Sequence, residues 1–312
     1  MVAITVTTKG KPTITLDFAG KHPSKITVKE VKSAIQAKFP KFEHNRQRIT
    51  FPQDKSDGKP LALTDESKTL ADYGVGEKAQ LRLKDLGKQV GYRVLYMWEY
   101  IGVIFINPLF LKYSHLLWGS FEMSTLQLTV RNLLLVHFIK RELESAFVHR
   151  FSRASVPLSF VFRNCLYYWG VCGFLIGLTL YRPAYSAPAL KGSILDNPVW
   201  LGFWSTFILI AEALNFNTHM HQRSLRTPPG HPRKYPTGFG FGSIVCANYF
   251  YEILVVVGLV FMTGGDFGMV VFLAIAVYFM QLWAGQKYAR YKKEFDNKVF
   301  PGKRWKVIPF IY

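Results

Sequence analysis

Glu212, Asn215, His219, Arg223 and Arg226 follow one another at spacings of three, four, four and three residues. Residues so spaced share one stripe of an α-helix. A carboxylate, an amide, an imidazole and two guanidiniums on one stripe, running from an apolar segment into a basic loop, point to a ligand-facing surface. A second set, His137, Lys140, Arg141 and Glu144, interrupts another apolar run, with Lys140 and Glu144 four apart on one face. Asn248, Tyr249 and Glu252 open a third run, and Gln281, Trp283, Lys287 and Tyr291 close the last. A charged group deep in a membrane span costs about 2.5–3.5 kcal/mol on insertion scales, so several together imply a polar cavity. An ion pair between Lys140 and Glu144, and an aromatic interface belt of Trp283 and Tyr291, would explain part of these sets but leave Asn248 and Glu252 unexplained. Cations gathered at span ends suit a polyanionic ligand, its phosphates on Arg and Lys and an apolar tail in the bilayer.

The elements that must position these groups are membrane helices. Six apolar segments come after the polar first part of the chain: residues 93–113, 126–148, 158–181, 198–218, 243–263 and 267–289. Each approaches the roughly 20 residues needed to cross a bilayer core. The second is the weakest, interrupted by Arg131, Lys140, Arg141, Glu142 and Glu144. The connections between segments alternate in charge. One set carries little, as in Gly264-Gly265-Asp266. The other carries Arg150, Arg153, Arg223, Arg226, Arg233 and Lys234, and the tail adds Lys287, Arg290, Lys292, Lys293, Lys298, Lys303, Arg304 and Lys306. Under the positive-inside rule this places both termini in the cytosol. The same distribution argues against nucleic acid as the partner of the net charge of +19, because the bases do not gather on one soluble face.

Cys165, Cys172 and Cys246 all lie in apolar segments. An odd number in such places speaks against a disulfide framework, and no spacing suits a metal. The first residues lack the pattern of a cleaved signal peptide, so the first span is expected to direct insertion. Gly238-Phe239-Gly240-Phe241-Gly242 follows no strand and departs from GxGxxG. It reads as a flexible re-entry into the fifth span rather than a dinucleotide loop.

Residues 1–86 read as a separate soluble domain preceding a membrane domain of residues 87–312. Ala3–Thr7 and Thr13–Phe18 alternate as a hairpin across Thr8–Pro12. Thr27 and Glu30 form a capping-box pattern ahead of a helix. Arg48–Phe51 and Ala79–Leu83 are further strands, with a turn at Thr69–Val75 between them. The order ββαβ, turn, β is that of a β-grasp, and Thr69–Tyr73 resembles the corresponding turn of ubiquitin. The expected fold is therefore a multi-pass α-helical membrane protein of about six spans with an N-terminal ubiquitin-like β-grasp domain.

Four stretches resemble the very-long-chain trans-2-enoyl-CoA reductases of the steroid 5-alpha-reductase family. They are His137-Phe138-Ile139-Lys140-Arg141 through Glu144 to Phe151; Asn215 through His219 to Arg223 and Leu225-Arg226; Asn248-Tyr249 with Glu252; and Gln281 through Trp283-Ala284 and Lys287 to Tyr291 and Phe295, closing on Ile308-Pro309-Phe310. The resemblance covers the whole membrane region, and the ubiquitin-like domain suits those reductases better than the steroid reductases. It implies NADPH-dependent reduction of the C2–C3 double bond of a very-long-chain enoyl-CoA in the endoplasmic reticulum membrane. That is the last step of the fatty acid elongation cycle, which feeds sphingolipid synthesis beside the other elongation enzymes. By the same resemblance Tyr249 and Lys140 are catalytic, and Asn215, His219, Arg223, Arg226, Asn248, Glu252, Lys287 and Tyr291 surround the nucleotide. Two other readings are a sibling reductase of a steroid or polyprenol enone, and a non-catalytic membrane adaptor that presents the ubiquitin-like domain. The adaptor has no need of Asn215, Tyr249 and Lys140 together.

Overall fold

The computed structural model describes residues 2–52, 60–151, 154–227, 234–296, 300 and 304–312. Of the loop and tail cations, Arg153, Arg233, Lys298 and Lys303 lie outside the described residues. The chain divides into two compact units, Met1–Tyr92 with Arg153–Phe160, and Arg93–Ser152 with Val161–Tyr312.

In the first unit, β1 (Val2–Thr8) and β2 (Ile14–Phe18) form an antiparallel hairpin with Val2 opposite Phe18. α1 (Val28–Lys38) comes next; β3 (Gln47–Phe51) pairs antiparallel with the short β4 (Leu61–Ala62). β5 (Gln80–Asp85) then enters the middle, parallel to β1 and antiparallel to β3, giving the order β2-β1-β5-β3-β4. This is the β-grasp arrangement. It forms because alternate residues are apolar: Val2, Ile4, Val6, Ile49, Leu81 and Leu83 turn inward, against Val28, Val31 and Ile35 of α1. The helix starts where it does because Thr27 caps it: Glu30 N–H donates to Thr27 Oγ1 at 3.2 Å, and Thr27 N–H donates to Glu30 Oε2 at 2.8 Å. The Ala71–Tyr73 turn closes on Gly74, whose φ of +69° is a left-handed conformation that glycine adopts without strain. Two short strands unmarked in the sequence, β6 (Gln89–Gly91) and β7 (Ser155–Pro157), pair antiparallel.

The second unit is helical. Among the described residues four helices are long and apolar enough to cross a bilayer: α2 (Tyr92–Tyr113, whose first residue belongs to the other unit), α4 (Ser159–Leu180, whose first two do), α5 (Pro198–Ser224) and α7 (Phe267–Glu294). The remaining two apolar segments are also helical. α3 (Thr125–Leu143) carries the charged set from Arg131 to Glu142, and α6 (Ala247–Met262) is apolar but 16 residues long. α6 starts later than its apolar run because Ser243–Cys246 turns instead to the C-terminal tail. Val245 N–H donates to the Trp305 carbonyl at 2.8 Å, and Cys246 N–H to that of Lys306 at 3.1 Å. Gly238–Gly242 is a closed turn, with the N–H groups of Phe241 and Gly242 both donating to the Gly238 carbonyl. α3 continues through Glu144–Val148 as a wider π-helical turn, and α4 contains a longer π-helical stretch at Leu166–Leu175. In α2, Gly102 allows close packing: a Cβ there would lie 2.0 Å from the Trp169 indole nitrogen of α4.

Candidate active site

Three of the polar sets converge within the helical unit. α3 and its π-helical turn supply His137, Lys140, Arg141 and Glu144; α5 supplies Glu212, Asn215 and His219; α6 supplies Asn248 and Glu252. All of these side chains are buried or nearly so. α5 and α6 pack along their lengths, with Gly258 admitting Ile208 where a Cβ would come within 2.6 Å. That packing brings the C-terminal half of one helix to the N-terminal start of the other.

Lys140 reaches across to α5. Its ammonium donates to Glu212 Oε2 at 2.9 Å and Asn215 Oδ1 at 2.6 Å, and lies 3.4 Å from Glu144 Oε1. Glu212 is shared, because His137 Nδ1 hydrogen-bonds its other oxygen. Asn215 in turn donates from its Nδ2 to the Asn248 backbone carbonyl at 2.8 Å, tying α5 to α6. Gln222 donates to the Asn248 side chain, also at 2.8 Å.

Arg141 organises a second, adjoining group. It donates to Glu144 Oε2 at 2.9 Å and to the Tyr100 hydroxyl at 3.0 Å, and lies 3.9 Å from Glu252. Glu144 also faces His219, with Nδ1 and Oε1 3.0 Å apart, and the His149 ring packs edge-on against His219 at 4.9 Å between centroids. Glu144, His149 and His219 place ligand atoms within 4.8 Å of one another. The Arg141 guanidinium beside them already supplies a cation to that carboxylate. Charges taken out of water in this way are tolerated only when paired and hydrogen-bonded. Lys140 and Arg141 against Glu144, Glu212 and Glu252 meet that condition.

Of the sequence-predicted residues, Lys140, Asn215, His219, Asn248 and Glu252 are therefore brought together. Tyr249 stands beside Asn248, half-buried, its ring 6.3 Å from that of Trp283; among the described residues its hydroxyl has no hydrogen-bond partner. Arg223 lies further along α5 and donates to the Phe147 carbonyl of the π-helical turn. Arg226 is exposed just past the end of α5. Lys287 and Tyr291 form a different cluster on α7. The ammonium lies 6.0 Å from the Tyr291 ring centre, and that ring packs on Tyr235, Phe295 and Phe300.

Tyr100 and His149 are not among the residues the sequence singles out, and Arg141 appears there only as a member of a polar set, with no role at the site. Arg141 was visible three residues before Glu144 on one helix, but Tyr100 is forty-one residues away in sequence and carries no local signal.

Residues 154–312 match the family model described as 3-oxo-5-alpha-steroid 4-dehydrogenase, a span that holds Glu212 to Tyr291. The very-long-chain enoyl-CoA reductase of Dictyostelium discoideum is 33% identical over 291 residues, covering 92% of this chain and 93% of that protein. This chain belongs to the very-long-chain enoyl-CoA reductase family. A putative enoyl reductase of Schizosaccharomyces pombe is 36% identical over 244 residues, 78% of this chain and 80% of its own. A probable very-long-chain enoyl-CoA reductase of Caenorhabditis elegans is 30% identical, covering 91% of each chain. In the family frame, the stretch from His137 to Glu144 precedes the part matched by the family model, and the described structure joins it to that part through Glu212 and Asn215.

Proposed function

We propose that this family member reduces the C2–C3 double bond of a very-long-chain trans-2-enoyl-CoA with NADPH. The observation that carries the reading is that Tyr249, a proton-bearing hydroxyl without a protein partner among the described residues, lies on the same helix as Asn248 and Glu252, the α6 members of the buried network of Lys140, Arg141, Glu144 and Glu212. The length-wide similarity to the Dictyostelium reductase supports the substrate class.

The donor set fits a dinucleotide phosphate. Arg141 Nε is buried with no partner among the described residues, leaving a directed donor for a polar ligand atom. Arg223, Arg226 and Lys287 are cations suited to phosphate, and Asn248 offers an amide suited to the carboxamide of a nicotinamide. NADPH, when bound, supplies the hydride that the β carbon C3 of the enoyl thioester takes up. The remaining demands fall on the chain. As negative charge passes to the thioester oxygen, a fixed cation stabilises it. Lys140 is held for this by Glu212 and Asn215. C2 then needs a proton, and a tyrosine hydroxyl, neutral at cytosolic pH, can donate it. In this reading Tyr249 is the donor, Asn215, His219, Asn248 and Glu252 shape the nucleotide pocket, and Tyr291 meets the nucleotide from its own cluster on α7. The membrane helices admit the acyl tail from the bilayer. The reaction closes the elongation cycle in the endoplasmic reticulum, beside the other elongation enzymes and upstream of sphingolipid synthesis, with both termini cytosolic.

The test is isotope placement by the purified protein. With deuterium in the transferable position of NADPH, the saturated acyl-CoA should carry label at C3; in heavy water it should carry label at C2. Absence of NADPH oxidation with an enoyl-CoA of eighteen or more carbons, alongside turnover of a steroid enone, would overturn the substrate assignment.

A further inference from the structure

The first unit carries a feature that enoyl reduction does not use. An open groove of about 840 Å³ lies at one end of its sheet, lined by Lys9, Lys11, Lys41, Arg82 and Lys84. Among the described residues none of these five has a carboxylate partner. The one acidic side chain of the lining, Asp85, is already held by Arg46 through two hydrogen bonds of 3.1 and 2.6 Å. The local field is therefore strongly positive. Like charges gathered without counter-charges weaken a fold, so a cluster of them on a small domain points to an anionic partner.

The lining also limits which anion. Phe42 and Leu83 form the floor but are only 7% and 4% exposed, so the groove offers no apolar anchor of the kind that dominates protein–protein recognition. The cations are exposed and spread over a wide opening instead of converging on one buried point, which suits several phosphates presented side by side. The strand that carries Arg82 and Lys84 ends at Asp85, and the apolar helix α2 begins seven residues later at Tyr92. The groove's strand is thus joined by a short link to a helix apolar enough to enter a bilayer.

We propose that this groove binds the phosphate-bearing headgroups of anionic lipids. Each basic side chain near an anionic bilayer strengthens association about five-fold, so five unpaired cations make a substantial contact. It is electrostatic and weakens as salt shortens the screening length.

The experiment is lysine acetylation footprinting by mass spectrometry on the full chain in nanodiscs. One set contains phosphatidylcholine only, and the other includes one-fifth phosphatidylserine. Acetylation of Lys9, Lys11, Lys41 and Lys84 should slow about three-fold or more in the anionic discs. Lys29 and Lys68, outside the groove, should be unchanged, and 0.5 M NaCl should abolish the difference. The variant R82Q/K84Q should lose the slowing at Lys9 and Lys11 while keeping its enoyl-CoA turnover in phosphatidylcholine discs. Equal acetylation in the two lipid sets would overturn the proposal. So would protection in phosphatidylcholine discs by inorganic phosphate or coenzyme A, which would assign the groove to a soluble phosphate, or by polyglutamate, which would assign it to an acidic protein. Because these readouts need no turnover, they fail or succeed independently of the reductase reading.

Discussion

Lys140 and Glu212 lie 2.9 Å apart on different helices, and the carboxylate that holds the lysine also holds His137. Glu212 is thus shared by two basic side chains in a buried setting. Glu212→Gln keeps the size and removes the charge that faces Lys140. Breaking a buried pair from one side costs roughly 3–5 kcal/mol, and the remaining link of Lys140 to Asn215 and Glu144 should soften this toward the lower end. The expected outcome is a lower unfolding temperature in detergent together with at least a ten-fold fall in kcat. Wild-type values of both would remove Glu212 from any positioning role.

Tyr249→Phe deletes one oxygen whose loss breaks no hydrogen bond among the described residues. The fold should be undisturbed and NADPH should still bind. General acid catalysis contributes about 10²–10⁴-fold, so turnover should fall by at least a hundred-fold. Quenching of protein fluorescence by NADPH, measured beside turnover, separates the two effects. A variant that turns over normally would pass the proton-donor role elsewhere.

Arg223→Ala and Arg226→Ala test the phosphate contacts. Each should raise the KM for NADPH about ten-fold with kcat within two-fold, and the penalty should be smaller for NADH, which lacks the 2′-phosphate. Arg223 also donates to the Phe147 carbonyl, so Arg223→Ala should additionally speed amide exchange across Glu144–Val148, whereas Arg226→Ala should not.

The first unit has its own pH signature. Lys32 donates to Glu66 at 2.7 Å and holds that carboxyl below its usual range. A carboxylate with a depressed folded pKa contributes stability that is present at neutral pH. That stability is lost as pH falls through the folded value, which lies below the ordinary glutamate range. Glu66 is partly exposed, so Glu66→Gln should cost under about 1 kcal/mol at pH 7. Hydrogen exchange in α1 should show the difference at pH 7 and its disappearance once the wild-type carboxyl is protonated.

The features legible in the sequence and those hidden from it divide along a physical line. The capping box at Thr27 and Glu30, the alternating strands and the apolar helices are local patterns, so the residues involved announce them. The polar stripe of α5 was legible for the same reason, since its members repeat at helical spacing. The pairing of Lys140 with Glu212 crosses seventy-two residues, and that of Arg141 with Tyr100 forty-one, so neither has a local signature. The ribbon of β6 and β7 escaped because strands of three residues have too little length to show alternation. Ser243–Cys246 reads as the start of a span because it is apolar, yet its backbone groups pair with the tail. Hydropathy reports which residues avoid water and says nothing of where their amides bond.

The π-helical turn at Glu144–Val148 makes the reading frame of the helix itself part of the site. A π turn holds one residue more than the α turn it replaces. Removing that surplus residue, for instance by deleting Ala146, would let the helix rewind and rotate the downstream residues by about 100°. The Phe147 carbonyl would then swing away from Arg223, and His149 away from His219. The site thus rests on a count of residues as much as on their identities, and a one-codon deletion within this turn would undo it while leaving every other side chain of the site in the sequence.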